Sequence, residues 1–225
     1  MTMYLSRLEI NTFRRKTMAA LDSPQMMHAC VMSSFPSASL QNDRVLWRID
    51  RVGAATYILL QSNQKPDFTH IIDQMGWPSS EQQWETIDYE PFLNKLQTGQ
   101  SWRFRLKANP VRRVPCSQDK EFAGKLAHHV TTDQQKKWLI DRSLKCGFSI
   151  PKTEDYGTPI LDILQNDIKH FNRNGSTVTI SMVTFEGILI IEDLETFRKT
   201  IRSGIGKAKA YGCGMITLAR EHEQY

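Results

Sequence analysis

Strand and helix signals follow the order β-α-β-β-α-β in the first hundred residues and recur, less regularly, in the rest, which predicts an α+β chain of two tandem ferredoxin-like (βαββαβ) domains. Three observations carry this reading. Period-two alternation marks strands at the start and in the middle of the chain; Ser and Asp caps precede helical stripes; and a glycine-rich segment leads from the last helix into the last strand. At roughly 150 residues per domain, 225 residues suit one large domain or two small ones.

Tyr4 to Ile10 alternates apolar and polar residues and reads as a half-buried strand. A helix over 24–35 follows, with Ser23 as N-cap, Pro24 in the first turn, and an inward stripe of Met27, Cys30, Val31 and Ser34. Arg44 to Arg51 and Thr56 to Ser62 form two strands joined by a turn at Gly53. Asp67 caps a helix with the apolar face Phe68, Ile71, Ile72 and Met75, and Trp84 to Tyr89 closes the first unit, residues 1–95. The boundary falls between Leu93 and Gln100, and residues 100–225 form the second unit. There Trp102 to Ala108 alternates with Arg103, Arg105 and Lys107, giving a strand with a cationic outer face that Asn109-Pro110 interrupts. Asp133 is the expected cap of a helix to Lys145. Strand-like Pro159 to Ile168, the β-branched run Thr177 to Ile191, a helix capped by Asp193 and ended by Gly204, and a strand over Gly214 to Ala219 complete the set.

Composition is that of an ordinary globular protein, with 40% hydrophobic and 24% charged residues, so collagen, coiled coil and wholesale disorder are excluded. No apolar run approaches the ~20 residues of a membrane span, and Arg7, Glu9 and Asn11 interrupt any signal-peptide core. A cytoplasmic protein with no membrane partner is expected. Cys30, Cys116, Cys146 and Cys213 lack metal-ligand spacing and read as reduced, largely buried thiols, with no metal and no cofactor expected. The net charge of +5 is uneven. Ser101 to Ser117 holds five basic residues and Thr196 to Arg220 six, neither with an acid, so the remainder sums to −6. Such polarity is the footprint of a polyanion partner, with a plain solvated basic face as the alternative.

The segment Gly204-Ile205-Gly206-Lys207-Ala208-Lys209-Ala210-Tyr211-Gly212-Cys213-Gly214 has four glycines in eleven residues. It follows a helix and lacks Gly-Lys-Ser/Thr, which excludes dinucleotide-binding and Walker A loops. Backbone N–H groups at Gly204, Gly206, Gly212 and Gly214 could approach a phosphate while Lys207 and Lys209 neutralise it; a tight helix-to-strand turn is the bland alternative. His28 lies about 100° around its helix from Met27, on the border of core and solvent. An imidazole there could take and give a proton near neutral pH. His128-His129, beside Lys125, suits nucleic-acid contact better than a metal.

His28 seven residues before Phe35-Pro36, the strand Phe104-Arg105-Leu106-Lys107-Ala108-Asn109-Pro110, the stretch Val183-Thr184-Phe185-Glu186-Gly187-Ile188-Leu189 and the terminal glycine-rich segment occur in one order across nearly the whole chain. This combination resembles the CRISPR-associated endoribonuclease CasE family. The resemblance implies metal-independent cleavage of CRISPR repeat RNA at the 3′ base of its stem-loop, 2′,3′-cyclic phosphate and 5′-OH products, and retention of the product within the Cascade complex alongside other Cascade subunits. It assigns His28 the catalytic histidine's place. Where relatives often carry a tyrosine three residues earlier, this chain has Gln25, which can donate a hydrogen bond but not exchange a proton; Lys207 or Lys209 could then stabilise the phosphate. The basic segment of the second domain reads here as the less cationic Gly124-Lys125-Leu126-Ala127-His128-His129. RNA contacts are accordingly expected from Arg103, Arg105, Lys107, Arg112 and Arg113, along phosphates and 2′-OH groups, because the central-strand aromatics of RNA-recognition modules are missing. A non-catalytic RNA-binding subunit with the same fold is the competing reading.

Overall fold

The computed structural model describes residues 2–36, 44–77, 84–114, 124–173 and 175–220. Cys116 and the segment around it lie outside them. Two βαββαβ sheets are present. In the first, β1 (Tyr4–Ile10) is followed by α1 (Arg15–Asp22), α2 (Pro24–Met32), β2 (Leu46–Val52), β3 (Ala55–Ser62), α3 (Thr69–Met75) and β4 (Trp84–Asp88). The strand order β2-β3-β1-β4 is antiparallel throughout, as this connectivity demands. Leu8 and Ile10 from β1, Ile58 and Leu60 from β3, Met27 and Val31 from α2, and Phe68, Ile71 and Met75 around α3 make its core.

The second unit begins after α4 (Glu90–Asn94) with β5 (Ser101–Ala108), then a short hairpin of β6 (Val111–Arg113) and β7 (Leu126–His128), α5 (Thr132–Ser143), β8 (Phe148–Ser149), β9 (Leu161–Arg173), β10 (Ser176–Ile191), α6 (Leu194–Ser203) and β11 (Ile216–Ala219). Its order is β11-β5-β10-β8, with β9 also paired to β10. Phe104 and Leu106 on β5, Phe185 on β10, Trp138 on α5 and Phe197 on α6 interlock in its core. Among the described residues no helix is long and apolar enough to cross a membrane.

Three elements depart from the sequence reading. Helix α1 has no counterpart there, since its first residue has no side-chain cap; the start is held instead by tertiary contact, Arg14 donating to the carbonyls of Ile72 and Asp73 at the end of α3. Helix α5 is capped by Thr131 rather than Asp133. Thr131 and Gln134 form a reciprocal capping box, which satisfies two backbone donors where Asp133 would satisfy fewer. Helix α4, at the expected boundary, buries Leu93 in the core of the second unit, as does Leu96 just beyond it, while Arg198 and Arg202 of α6 bind the Leu93 carbonyl and Glu90.

Strand β2 joins the units. Arg48 is fully buried and clasps Asp50 through two hydrogen bonds of 2.6 and 2.7 Å. It also donates across the interface to the carbonyls of Arg105 (2.7 Å) and Met215 (3.2 Å) and to Thr217 Oγ1 (2.8 Å). The guanidinium is thus turned on every side to a fixed acceptor, the condition under which a buried charge is tolerable.

Candidate functional site

Helix α2 presents His28 as its local chemistry dictates. Ser23 caps it by accepting the Met26 N–H (3.3 Å), and Pro24 stands in the first turn. Met27 and Val31 are buried, which leaves His28 half-buried at the edge of the core. There its ring meets Tyr211 edge-on, with centroids 6.3 Å apart and planes at 66°. Tyr211 comes from the second unit, at the end of a 3-10 turn over Lys209–Tyr211 in the glycine-rich segment. Phe171 of β9 packs on it at 4.8 Å. Before this turn Ala208 has φ +61°, a left-handed conformation that L residues adopt at a cost of order 1 kcal/mol or more. Gln25 lies almost one turn before His28 and is half-buried.

Two of the loop's four glycines, Gly204 and Gly212, serve packing between the units. At Gly212 (φ +80°) a β-carbon would fall 2.7 Å from the Trp47 ring, and at Gly204 (φ +73°) 2.9 Å from Leu46, both on β2. Gly206 lies against Trp138, and at Gly214 the Ile205 carbonyl and the Lys209 stem fill the space. The loop is therefore moulded to β2 at Gly204 and Gly212 and to its own unit at Gly206 and Gly214, which explains why it has more glycines than a turn requires.

Of the predicted catalytic groups, the structure pairs His28 with Tyr211 and sets Lys207 and Lys209 in two different surroundings. Lys207 is exposed and shares a pocket with Arg112, Arg113, Trp138, Arg142 and Gly206. Lys209 is half-buried; burial and then nearby Arg44 hold its ammonium below the usual lysine range. The Arg112–Arg113 strand and Lys207 thus converge as the charge pattern implied, joined by Arg142, whose guanidinium lies 4.4 Å over Trp138. His129 adjoins this groove, and burial first, then Arg112 and Arg142, hold it below the ordinary histidine range. His128 is half-buried on β7 and Lys125 exposed just before it.

The expected cationic outer face of β5 is corrected by the structure. Arg105 pairs with Glu186 directly across the sheet (3.1 Å) and lies 3.7 Å from Asp50, and Arg103 is 3.9 Å from Glu186. Lys107 donates to the Ile49 carbonyl (3.3 Å), and burial pushes its ammonium below the usual range. Next to it the fully buried Cys213 thiol is pushed up to about 12 and is a neutral neighbour. The alternation along β5 is real, but the face opposite the core packs against β2 instead of water.

Sequence reasoning missed Tyr211, Arg142 and the Arg48–Asp50 pair. Tyr211 had a signal, being the one aromatic residue within the glycine-rich segment. Arg142 and Arg48 had none, because their roles depend on elements brought together only by folding.

A family model described as CRISPR associated protein matches residues 3–220. The CRISPR-associated endoribonuclease Cse3 of Thermus thermophilus is 30% identical over 227 residues, covering 96% of this chain and 100% of the relative. The CRISPR system Cascade subunit CasE of Escherichia coli is 30% identical over 168 residues, 72% of this chain and 74% of that one. A Thermus thermophilus Cse3 solved with an RNA representing a pre-cleavage complex superposes with a TM-score of 0.81 at 27% identity, over 97% of this chain and 100% of that one. With the tandem ferredoxin-like sheets and the order of motifs already described, these matches establish that the chain belongs to the Cse3/CasE family of CRISPR-associated proteins.

Proposed function

We propose that this chain is an endoribonuclease that cuts CRISPR repeat RNA at the 3′ base of its stem-loop and stays bound to the product as a cytoplasmic Cascade subunit. The single observation that carries the reading is the meeting of His28 and Tyr211 across the two units; a separate groove of the second unit, in which Arg112, Arg113, Arg142 and Lys207 converge, supports it. In this chemistry the 2′-OH upstream of the scissile bond loses its proton and attacks phosphorus. The 5′-oxygen leaves with a proton, giving a 2′,3′-cyclic phosphate and a 5′-OH. His28 is the group able to move a proton at that point, and Tyr211 fixes its ring. The nucleophile is internal, so positioning supplies much of the acceleration and no metal is required. The groove offers phosphate contacts to the stem through Arg112, Arg113, Arg142 and Lys207. We place the two units at 1–95 and 100–225, with 90–96 acting as a strap docked on the second.

A second reading, an RNA-hairpin-binding subunit with little turnover, draws on Gln25 and on the grouping of Lys207 away from His28 with the arginines. Incubation of the protein with its cognate hairpin repeat in EDTA, beside His28→Ala, separates the two. Cleavage that persists with chelator and falls by about 10²–10⁴-fold in the variant, with binding retained, supports the nuclease. Intact RNA under every condition favours the binding subunit.

A further inference from the structure

Strand β10 changes surroundings along its length. Val183 to Ile190 pair with β5, whereas residues 176–182 pair with β9 and run on past the end of β5. A register shift at Thr184/Phe185 lies where the hairpin leaves the sheet, and a bulge of this kind bends a strand and increases its twist. Along the projecting part Val178, Ile180 and Met182 share one face, with Phe171 directly across from Val178. A two-stranded hairpin is marginal by itself and needs a surface to pack on. The glycine-rich loop supplies it: Phe171, Ile180 and Met182 form a small core with Tyr211 and Cys213, and Val178 and Ala208 pack against it.

This core leads to His28. Phe171 lies 4.8 Å from Tyr211 and Tyr211 6.3 Å from His28, a chain of ring contacts from β9 through the loop to α2. The same hairpin face reaches the start of α2, where Lys169 Nζ is 3.6 Å from Asp22, next to the Ser23 cap. The turn that carries Tyr211 is itself strained. Ala208 is the one non-glycine residue with positive φ among the described residues, in a loop whose other positive-φ positions are glycines. Strain of this kind persists only where the surroundings over-determine it. Here the Ala208 side chain packs on the hairpin core while its carbonyl accepts the Tyr211 N–H at 2.9 Å.

We propose that Phe171 and Ala208 are positioning residues for cleavage: the hairpin core holds the strained turn, and the turn holds Tyr211 against the His28 ring. The proposal rests on the nuclease reading and adds to it two residues that act through Tyr211.

The test uses the full chain and its cognate hairpin repeat. Single-turnover cleavage, RNA affinity and urea unfolding are measured for Phe171→Leu, Ala208→Gly, Tyr211→Ala and the Phe171→Leu/Tyr211→Ala double. Both new single variants should cleave roughly three- to tenfold more slowly, the range of a lost aromatic contact, with RNA affinity unchanged. Ala208→Gly should unfold close to the wild-type midpoint, because relief of the left-handed strain offsets the added chain entropy of glycine. Phe171→Leu should slow Tyr211→Ala no further, as expected of residues coupled through one group. In the free protein the His28 Hε1 resonance should move in Phe171→Leu. An unmoved resonance, wild-type cleavage in both single variants, or losses that multiply in the double overturns the positioning assignment and spares the nuclease. Affinity falling in step with rate also overturns it, by marking a merely structural role. A moved resonance without cleavage by the wild-type chain upholds the setting of His28 by the hairpin and overturns the nuclease reading.

Discussion

Replacing Arg48 by Met is the perturbation with the sharpest expected consequence. It deletes the guanidinium whose five hydrogen bonds, of 2.6–3.2 Å, run to Asp50 on its own strand and to Arg105, Met215 and Thr217 on the other unit. Asp50, 7% exposed, would keep Arg105 at 3.7 Å as its ion-pair partner among the described residues, with Lys107 acting at longer range. Removing one member of a buried pair costs about 3–5 kcal/mol, mostly the charge left behind, and two carbonyls lose their donor besides. Against a total stability of roughly 5–15 kcal/mol this is a large share, readable by urea unfolding with linear extrapolation. Arg48→Met/Asp50→Leu removes both charges and should recover a substantial part, leaving the cost of the carbonyls, on the order of 1 kcal/mol each. Arg48→Lys should fall between, since an ammonium cannot reproduce the forked geometry. Cleavage should lose kcat more than affinity, as the cationic groove lies within the second unit while the His28–Tyr211 contact spans both. A single variant within about 1 kcal/mol of wild type, well under the expected loss, or a double variant no more stable than the single, would refute this account of the interface.

Three further outcomes are expected. Tyr211→Phe keeps the edge contact to His28 and should cleave at close to the wild-type rate, whereas Tyr211→Ala should lose roughly the 0.5–1.5 kcal/mol of an aromatic pair, up to about tenfold in kcat; an equally impaired Phe variant would put the hydroxyl into the chemistry. Lys207→Ala and Arg142→Ala should each lower the slope of log affinity against log salt by about one, with no change for a mock substitution at Lys137, as binding titrations from low to moderate salt would reveal. His129 is held below the ordinary histidine value, so the unfolded chain takes up a proton first as pH falls below ~6.5. Stability should therefore decline from there down through the folded-state value and then level off, and His129→Asn should flatten that portion of a stability–pH profile.

Much of the fold was legible because its signals are local. Ser23-Pro24 starts α2, Asp193 caps α6 by accepting from Glu195 and Thr196, and Gly53 turns β2 into β3 with φ +58°. Helix α1 and strap α4 were not legible, since each is short and stabilised chiefly by partners distant in sequence. His28 followed from its helical position and from the order of motifs around it, whereas Tyr211 needed the second unit to be set against the first. Asp133 fails as a cap for a different reason: Thr131 and Asp133, two residues apart, both offer side-chain acceptors, and the one with Gln three residues on wins.

The two acid-free blocks show where charge counting reaches its limit. Along the sequence both read as one polyanion-binding footprint, yet folding divides them by use. Arg105, Lys107, Arg198 and Arg202 are spent on Glu186, the Ile49 carbonyl, the Leu93 carbonyl and Glu90, and so tie the units and the strap together. Arg112, Arg113 and Lys207 converge with Arg142, which lies outside both blocks. Strand β5 makes the distinction physical: its polar face looks outward only while the partner surface is taken to be water. A period-two pattern states that two faces differ, and says nothing about what the second face meets. In a tandem fold that second face can be the neighbouring unit, and cations placed there help to fix the geometry that brings Tyr211 to His28.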